Sequence, residues 1–248
     1  MTPKMIDPIL KLLLISNSWN LGEQYLQHAT AWLSDIYQGV PTVLVLPFAV
    51  GGSSHFVAES TTALREMGIQ CEVAALDDPL LRDKIAKATG FYVPGGNTFR
   101  LSMSLHKAGI LKAIAKAVHG GVPFAGASAG AVIAGPTIAT TNDMPIVESP
   151  IGALDIVPFQ INTHYLETAA VAGQPIESRD DRLKEYVRET SRPVLALSTG
   201  TALSISEGAV NLLGDKNCKV FFWDATIDVT PGPIDHEVLV RLMSVGRR

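Results

Sequence analysis

Cysteine is scarce in this sequence, and that scarcity excludes one class of proteins. Only Cys71 and Cys218 occur among the 248 residues, and both lie in apolar, strand-like segments, where buried thiols are common. Small secreted domains that depend on disulfides carry many more cysteines. The sequence therefore favours a reducing compartment, and we expect a cytoplasmic protein.

Charge is also limited, and no stretch concentrates one sign. Charged residues make up 18% of the chain, and 20 basic residues against 24 acidic ones give a formal net charge of −4. Proteins that bind nucleic acid usually present a basic patch. Nucleic acid is therefore not an expected partner.

Long apolar runs and metal-binding motifs are missing as well. The run ILKLLLIS at residues 9–16 is interrupted by Lys11 and followed by SNSWN. We interpret it as a core strand, and we expect neither a secretion signal nor a membrane span. The sequence has no H-E-x-x-H motif, no paired cysteines and no clustered His and Asp pattern. We therefore predict that the protein uses no metal and no other cofactor.

What the sequence does contain is an alternation of short apolar runs with longer segments of helical period. This alternation predicts an α/β fold, with a mostly parallel sheet, helices on both faces, and antiparallel hairpins near the C-terminus. Without a linker or repeat, we expect one domain over residues 1–248. The predicted strands are 11–16, 42–48, 69–75, 90–93 and 123–127, with loops and short strands over residues 137–165. The predicted helices are 22–37, 55–67, 80–88, a stretch from PGGNT to about residue 119 that breaks near Gly109, 177–190 and 235–243.

One serine lies in a run of small residues, GASAG at 126–130. The run fits the G-x-S-x-G pattern, because an apolar strand precedes it and a helix-compatible segment follows. On such a sharp turn the serine hydroxyl projects above the sheet, glycines remove clashing side chains, and the helix start offers N–H groups to an oxyanion. Ser128 is therefore a candidate nucleophile, and the alternative is a tight turn without chemistry.

A second glycine cluster, PGGNT at 94–98, ends the preceding predicted strand. In a parallel sheet it lies at the same edge as Ser128, where ligands collect. Its N–H groups can face a reacting carbonyl and Asn97 can cap the next helix, or the segment is a simple turn with a cap. For the base that a nucleophilic serine needs, spacing alone leaves His55 and His164 as candidates.

The segments around these residues resemble a known family. GASAGAVIAGPTIATTNDMPIV at 126–147, with PGGNTF before it and GALDIVPFQINTHY after it, is similar to peptidase E, the aspartyl dipeptidase family of serine peptidases. The likeness is nearly continuous over residues 94–165 and weaker at LLLISNS, LPFA and ESRDDRLKEY. It implies the fold of class I glutamine amidotransferases and cleavage of dipeptides that begin with aspartate.

The resemblance also implies roles for individual residues. Ser128 matches the family's nucleophile and His164 its general base. The N–H groups of Gly96 and Ala129 match its oxyanion hole. Asp143, in the TTNDMP loop, matches an acid implicated in activity or substrate handling.

One position departs from the family pattern. The third triad member is a glutamate in an L-P-E-G-like segment, and here LSTG at 197–200 places Thr199 at its position. A hydroxyl can bond to an imidazole but supplies no charge, and losing the acid of a serine triad costs about 10⁴-fold in turnover. Three hypotheses follow: Asp143 or another acid such as Glu207 substitutes, a Ser-His dyad works slowly, or hydrolysis is lost.

An aspartyl substrate brings a carboxylate and a free α-amine. Arg179 is the best cationic candidate for the carboxylate, because a guanidinium forms two parallel hydrogen bonds with it. The alternative is a solvated arginine paired with Glu177 or Asp180. For the α-amine, Asp143 or Glu177 would serve, and Asn97 is the remaining candidate contact with substrate.

The leading hypothesis is therefore a serine dipeptidase for peptides with N-terminal aspartate, in the form of a homodimer. The alternatives are a binding protein that has lost hydrolysis and a cyanophycinase-like peptidase for other acidic peptides. The expected partner in each case is a small peptide.

Overall fold

An eight-stranded sheet forms the centre of the protein. The computed structural model describes residues 7–51, 54–141, 151–166 and 178–244. Five strands of this sheet run parallel, in the order β1-β5-β4-β2-β3, and three more extend antiparallel from β1 in the order β8-β9-β12. These strands are β1 (Leu12–Ile15), β2 (Val43–Val45), β3 (Cys71–Val73), β4 (Phe91–Val93), β5 (Phe124–Ala127), β8 (Ala202–Ser206), β9 (Ala209–Leu213) and β12 (Gly232–Pro233).

Helices cover both faces of this sheet. Leu12 and Leu14 of β1 belong to one hydrophobic core, and Leu13 and Ile15 belong to a second core on the other face. Strands buried on both faces are expected to be apolar without alternation, as β1 is. The helices are α1 (Thr30–Ile36), α2 (Ser54–Glu66), α3 (Leu81–Ala86), α4 (Thr98–Ala108), α5 (Leu111–His119), α6 (Ala129–Val132), α7 (Arg179–Thr190) and α8 (His236–Met243). The predicted α/β fold with a mostly parallel sheet is confirmed.

Two helices end or begin at positions that can be compared with the predicted ones. The break near Gly109 is confirmed, because this residue ends α4 with a φ of 64°. The helix predicted over 22–37 is shorter, since α1 begins only at Thr30, after a 3₁₀ turn at Gln27–Ala29. The buried Leu26 takes a left-handed conformation with a φ of 58°, which a continuous right-handed helix does not allow.

A second, four-stranded sheet was not predicted. It has the order β11-β10-β7-β6, and β6 runs parallel to β7. Its strands are β6 (Gln160–Tyr165), β7 (Val194–Ser198), β10 (Cys218–Phe221) and β11 (Thr226–Val229). The chain passes from β7 of this sheet to β8 of the first through Thr199, Gly200 and Thr201. The antiparallel pairs β8-β9 and β10-β11 confirm the predicted C-terminal hairpins, one in each sheet.

Within the described ranges, none of the helices combines the length and the apolar character that crossing a bilayer requires.

Candidate active site

Ser128 lies on a sharp turn between β5 and α6. Its φ of 52° and ψ of −112° are rare for a residue with a side chain. Backbone strain of this kind is concentrated at functional sites. A β-carbon at Gly126 would lie 2.1 Å from the Gly130 carbonyl oxygen, and one at Gly130 would lie 2.0 Å from the Val93 carbonyl oxygen. Only glycine fits at both positions, so the two glycines allow the close backbone approach that forms the turn.

His164 is the histidine that meets this serine. Its Nε2 lies 2.8 Å from Ser128 Oγ, although the two residues belong to different sheets. His164 has a φ of 55° next to an irregularity in the β6-β7 pairing. The other candidate, His55, lies on α2 with a largely exposed side chain, 3.4 Å from Glu59.

The backbone of His164 is held on both sides. Its N–H donates to Ser16 Oγ at 2.9 Å, and its carbonyl accepts a hydrogen bond from the Arg179 guanidinium. A left-handed conformation costs free energy for a residue with a side chain, so these two bonds help to maintain it.

Ser16 is a positioning residue that the sequence analysis did not identify. It is fully buried, and its hydroxyl also donates to the Leu197 carbonyl at 2.9 Å. The Ser16 side chain therefore connects the end of β1 to β7 and to His164 on β6. The available signal was its place at the carboxyl end of a central strand, the edge where ligand sites form.

The environment of His164 favours its neutral form. Burial lowers the pKa of the imidazole below its usual 6.5, and the nearby positive charge of Arg179 lowers this pKa further. A neutral imidazole is the form that accepts a proton from a serine. No hydrogen bond to Nδ1 is formed by any residue in the described ranges, and no carboxylate there raises the pKa.

Thr199 is the first residue after β7 and is half-buried. The parallel pairing aligns Ser198 with Tyr165, so Thr199 and His164 lie at the same edge of the second sheet. The Thr199 carbonyl accepts a hydrogen bond from Lys216 Nζ at 2.9 Å.

Glu207, considered as a substitute acid, lies elsewhere. Ala202, at the start of β8, pairs with Ile15 of β1, and Ile15 in turn pairs with Ala127 of β5. The start of β8 therefore lies close to the serine turn. Glu207 is exposed and follows the far end of this strand, five residues and therefore about 16 Å further along. The hypothesis that Glu207 substitutes is wrong. Asp143 and Glu177 lie outside the described residues.

Two backbone N–H groups near Ser128 are available as donors. A β-carbon at Gly95 would lie 3.2 Å from Ser128 Cβ, and one at Gly96, where φ is 139°, would lie 2.9 Å from Ala49. The first distance places Gly95 against the serine turn, and Gly96 lines the same pocket as Ser128. Within the described part of the chain, the N–H groups of Gly96 and Ala129 donate to no other group.

Asn97 and Arg179 each have a structural partner. Asn97 Oδ1 accepts from the Arg100 N–H at 2.7 Å, so the predicted helix cap is confirmed. The Arg179 guanidinium faces the carbonyls of His164 and Thr163. Arg179 therefore contacts the backbone of His164 and contributes positive charge near its imidazole.

A pocket of about 140 Å³ opens beside the serine and histidine. Its wall includes Trp19, Tyr25 and Phe56, together with Asn17 and Ser18. Among the described residues, no cluster of three or more His, Cys, Asp or Glu side chains could hold a metal ion.

Comparison with known proteins identifies the family. The family described as "Peptidase family S51" matches residues 12–213. Peptidase E of Streptomyces coelicolor is 38% identical over 214 residues, covering 86% of this chain and 87% of the relative. A probable alpha-aspartyl dipeptidase of Drosophila melanogaster is 39% identical over 214 residues, covering 85% and 89%.

Solved structures share the fold. A putative peptidase E from Listeria monocytogenes superposes with a TM-score of 0.62 at 24% identity, over 83% of this chain and 98% of that one. A peptidase from an acI-B1 Actinobacterium gives a TM-score of 0.70 at 18% identity, over 92% of this chain and 96% of that one. The match over residues 12–213, the relatives at 38–39% identity and the shared fold mean that this chain belongs to peptidase family S51 and is a peptidase.

Proposed function

We propose that the chain is a serine dipeptidase that hydrolyses dipeptides with N-terminal aspartate through an acyl-enzyme on Ser128. The observation that carries the proposal is the 2.8 Å distance between Ser128 Oγ and His164 Nε2. The preference for aspartate is supported by the similarity to the Drosophila protein, which is named a probable alpha-aspartyl dipeptidase.

In the proposed reaction, Ser128 Oγ attacks the peptide carbonyl while His164 Nε2 takes the hydroxyl proton. The N–H groups of Gly96 and Ala129 donate to the oxyanion of the tetrahedral intermediate. His164 then returns the proton to the leaving amine, the C–N bond breaks, and aspartate stays on Ser128 as an ester. Water activated by the same imidazole hydrolyses this ester and releases aspartate.

The substrate contacts remain part of the proposal. We assign Arg179 to the substrate carboxylate, with Asn97 and Asp143 as further contacts. Arg179 and Asn97 both contact the protein backbone, so substrate must share these groups or displace them. Two free thiols, Cys71 and Cys218, support a cytoplasmic location, and a homodimer built from one domain per chain stays a prediction.

The nucleophile is tested by measuring release of aspartate from Asp-Leu. Ser128→Ala should lower kcat by at least about 10³-fold, because the covalent step is lost. Ser206→Ala, at the far end of β8, is the matched control and should keep the parental rate. Parental turnover by Ser128→Ala would show that the nucleophile is another group.

A second candidate function is binding of aspartyl peptides without efficient hydrolysis. It is favoured by Thr199 and by the absence, within the described residues, of a carboxylate that bonds to His164 Nδ1. Calorimetry with Asp-Leu, followed by chromatography after long incubation, separates the two functions. A pure binding protein would return the peptide intact.

A further inference from the structure

An aromatic wall stands beside the reacting groups. Trp19 packs edge-on against Tyr25 with ring centroids 4.7 Å apart, and against Phe56 at 5.6 Å. All three rings line the pocket that also contains Ser128 and His164. Trp19 is 41% exposed and Phe56 is 38% exposed, so this exposed surface faces solvent at the pocket or close to it.

The wall is held in place by polar contacts behind it. Ser60 Oγ lies 2.9 Å from the Tyr25 hydroxyl and 2.8 Å from the Phe56 carbonyl. The Tyr25 hydroxyl also lies 3.2 Å from that of Tyr92. On the other side, Asn17 Nδ2 donates to the Trp19 carbonyl at 2.6 Å. The Tyr25 ring is therefore held through its hydroxyl, and Trp19 packs against this ring. This part of the wall is positioned before substrate arrives, which lowers the entropic cost of binding.

The chemistry of the pocket selects an uncharged side chain. Among the described residues that line it, none is Asp, Glu, Lys or Arg. A carboxylate gains no counter-ion there and meets the electron-rich faces of aromatic rings. The pocket volume of about 140 Å³ is close to that of an apolar cavity of about 150 Å³ that holds benzene, so one large apolar side chain fits.

We propose that this pocket binds the side chain of the second residue of the dipeptide and gives the enzyme a preference for Asp-X substrates in which X is a large apolar residue. This inference rests on the proposed function, because it takes the first residue to be aspartate. The aspartyl carboxylate is not suited to the aromatic wall, whereas a leucine or phenylalanine side chain loses apolar surface to it. Trp19 and Phe56 are then the residues that determine specificity at the leaving group.

The test compares Asp-Leu, Asp-Phe, Asp-Gly, Asp-Glu and Asp-Lys with the full-length protein. We expect kcat/KM for Asp-Leu and Asp-Phe to exceed that for Asp-Gly by about tenfold or more, since burying a large apolar side chain is worth at least one factor of ten. Asp-Glu should be no better than Asp-Gly. Equal values across the panel, or a preference for Asp-Lys, would overturn the inference while leaving the proposed function intact.

Variants connect the preference to the wall. Trp19→Ala and Phe56→Ala should each reduce the ratio of kcat/KM for Asp-Leu to kcat/KM for Asp-Gly below about threefold. Trp223→Ala is the matched control, because this tryptophan is 70% exposed and follows β10 in the second sheet. If both wall variants keep the parental ratio, the pocket does not bind the X side chain.

Binding to Ser128→Ala separates this inference from the proposed function. Calorimetry with the same dipeptides should give tighter binding of Asp-Leu than of Asp-Gly, even where the parent protein hydrolyses neither. Selective binding without hydrolysis would refute the dipeptidase alone. If none of the dipeptides binds, both the proposed function and this inference are refuted.

Discussion

Replacing Thr199 with glutamate is expected to raise kcat/KM for Asp-Leu by about 10² to 10³-fold. In the proposed reaction His164 becomes an imidazolium, and both burial and the charge of Arg179 oppose that form, as the lowered pKa of His164 indicates. A carboxylate at the Nδ1 side would stabilise the imidazolium and fix the orientation of the ring.

The magnitude is worked for a carboxylate that reaches the Nδ1 side of His164, which lies at the same edge of the second sheet as Thr199. A carboxylate about 4 Å from the imidazolium, at an effective dielectric constant of about 20, contributes about 4 kcal/mol, which is about 10³-fold in rate. The loss of about 10⁴-fold when a serine triad lacks its acid sets the upper limit. The ammonium group of Lys216 contacts the Thr199 carbonyl and would also attract the new carboxylate. This competition weakens the attraction to the imidazolium, so we expect a rate increase in the lower part of this range.

The assay is the pH dependence of kcat/KM for the parent, Thr199→Glu and Thr199→Gln. Glutamine matches glutamate in shape but lacks its charge, so it isolates the electrostatic part. The new carboxylate favours the protonated ring and raises the pKa of His164, which moves the acid limb of the profile to higher pH. Equal kcat/KM for the Glu and Gln variants above this limb, with both folded by circular dichroism, would refute the reasoning.

Two further predictions concern the groups that hold His164. Arg179→Met removes one of the two causes that lower the pKa of the imidazole, so the acid limb of kcat/KM should move to higher pH, whereas Arg179→Lys should leave it near the parental position. Ser16→Ala leaves the buried N–H of His164 and the carbonyl of Leu197 without their bonds. At about 1 to 3 kcal/mol for each unsatisfied group, urea denaturation should give a free energy of unfolding lower by about 2 to 6 kcal/mol, and a loss below 0.5 kcal/mol would contradict this role.

Local patterns in the sequence were enough to predict the parallel half of the fold. Strands such as β1 and β5 are continuous apolar runs, and the turn at Ser128 is recognisable because Gly126 and Gly130 have a steric reason to be glycine. The cap at Asn97 and the break at Gly109 follow from equally local chemistry. The cap and the break depend on residues that are close together in the chain, whereas the carbonyl that requires a glycine at Gly130 belongs to Val93 on the neighbouring strand β4.

The second sheet depends on pairings between distant segments, and these leave little local signal. Strand β6 pairs with β7, which lies more than thirty residues later in the chain, and such distant pairings have little local signal. The prolines and turn residues that precede β6 favour a loop when they are taken alone. The same limit hid Ser16, whose partners Leu197 and His164 are 181 and 148 residues away. The position of Glu207 beyond the far end of β8 likewise depends on pairings between distant segments.

The division of Ser128 and His164 between two sheets has a mechanical consequence. Their 2.8 Å contact joins the two sheets, and Ser16, which follows β1 of the first sheet, bonds to Leu197 and His164 of the second. A slip of one sheet against the other by little more than an ångström would take the pair beyond hydrogen-bond reach without breaking either ladder. In the proposed mechanism, turnover therefore depends on the alignment of the two sheets, and we expect conditions that shift this alignment to stop hydrolysis while the secondary structure is still intact.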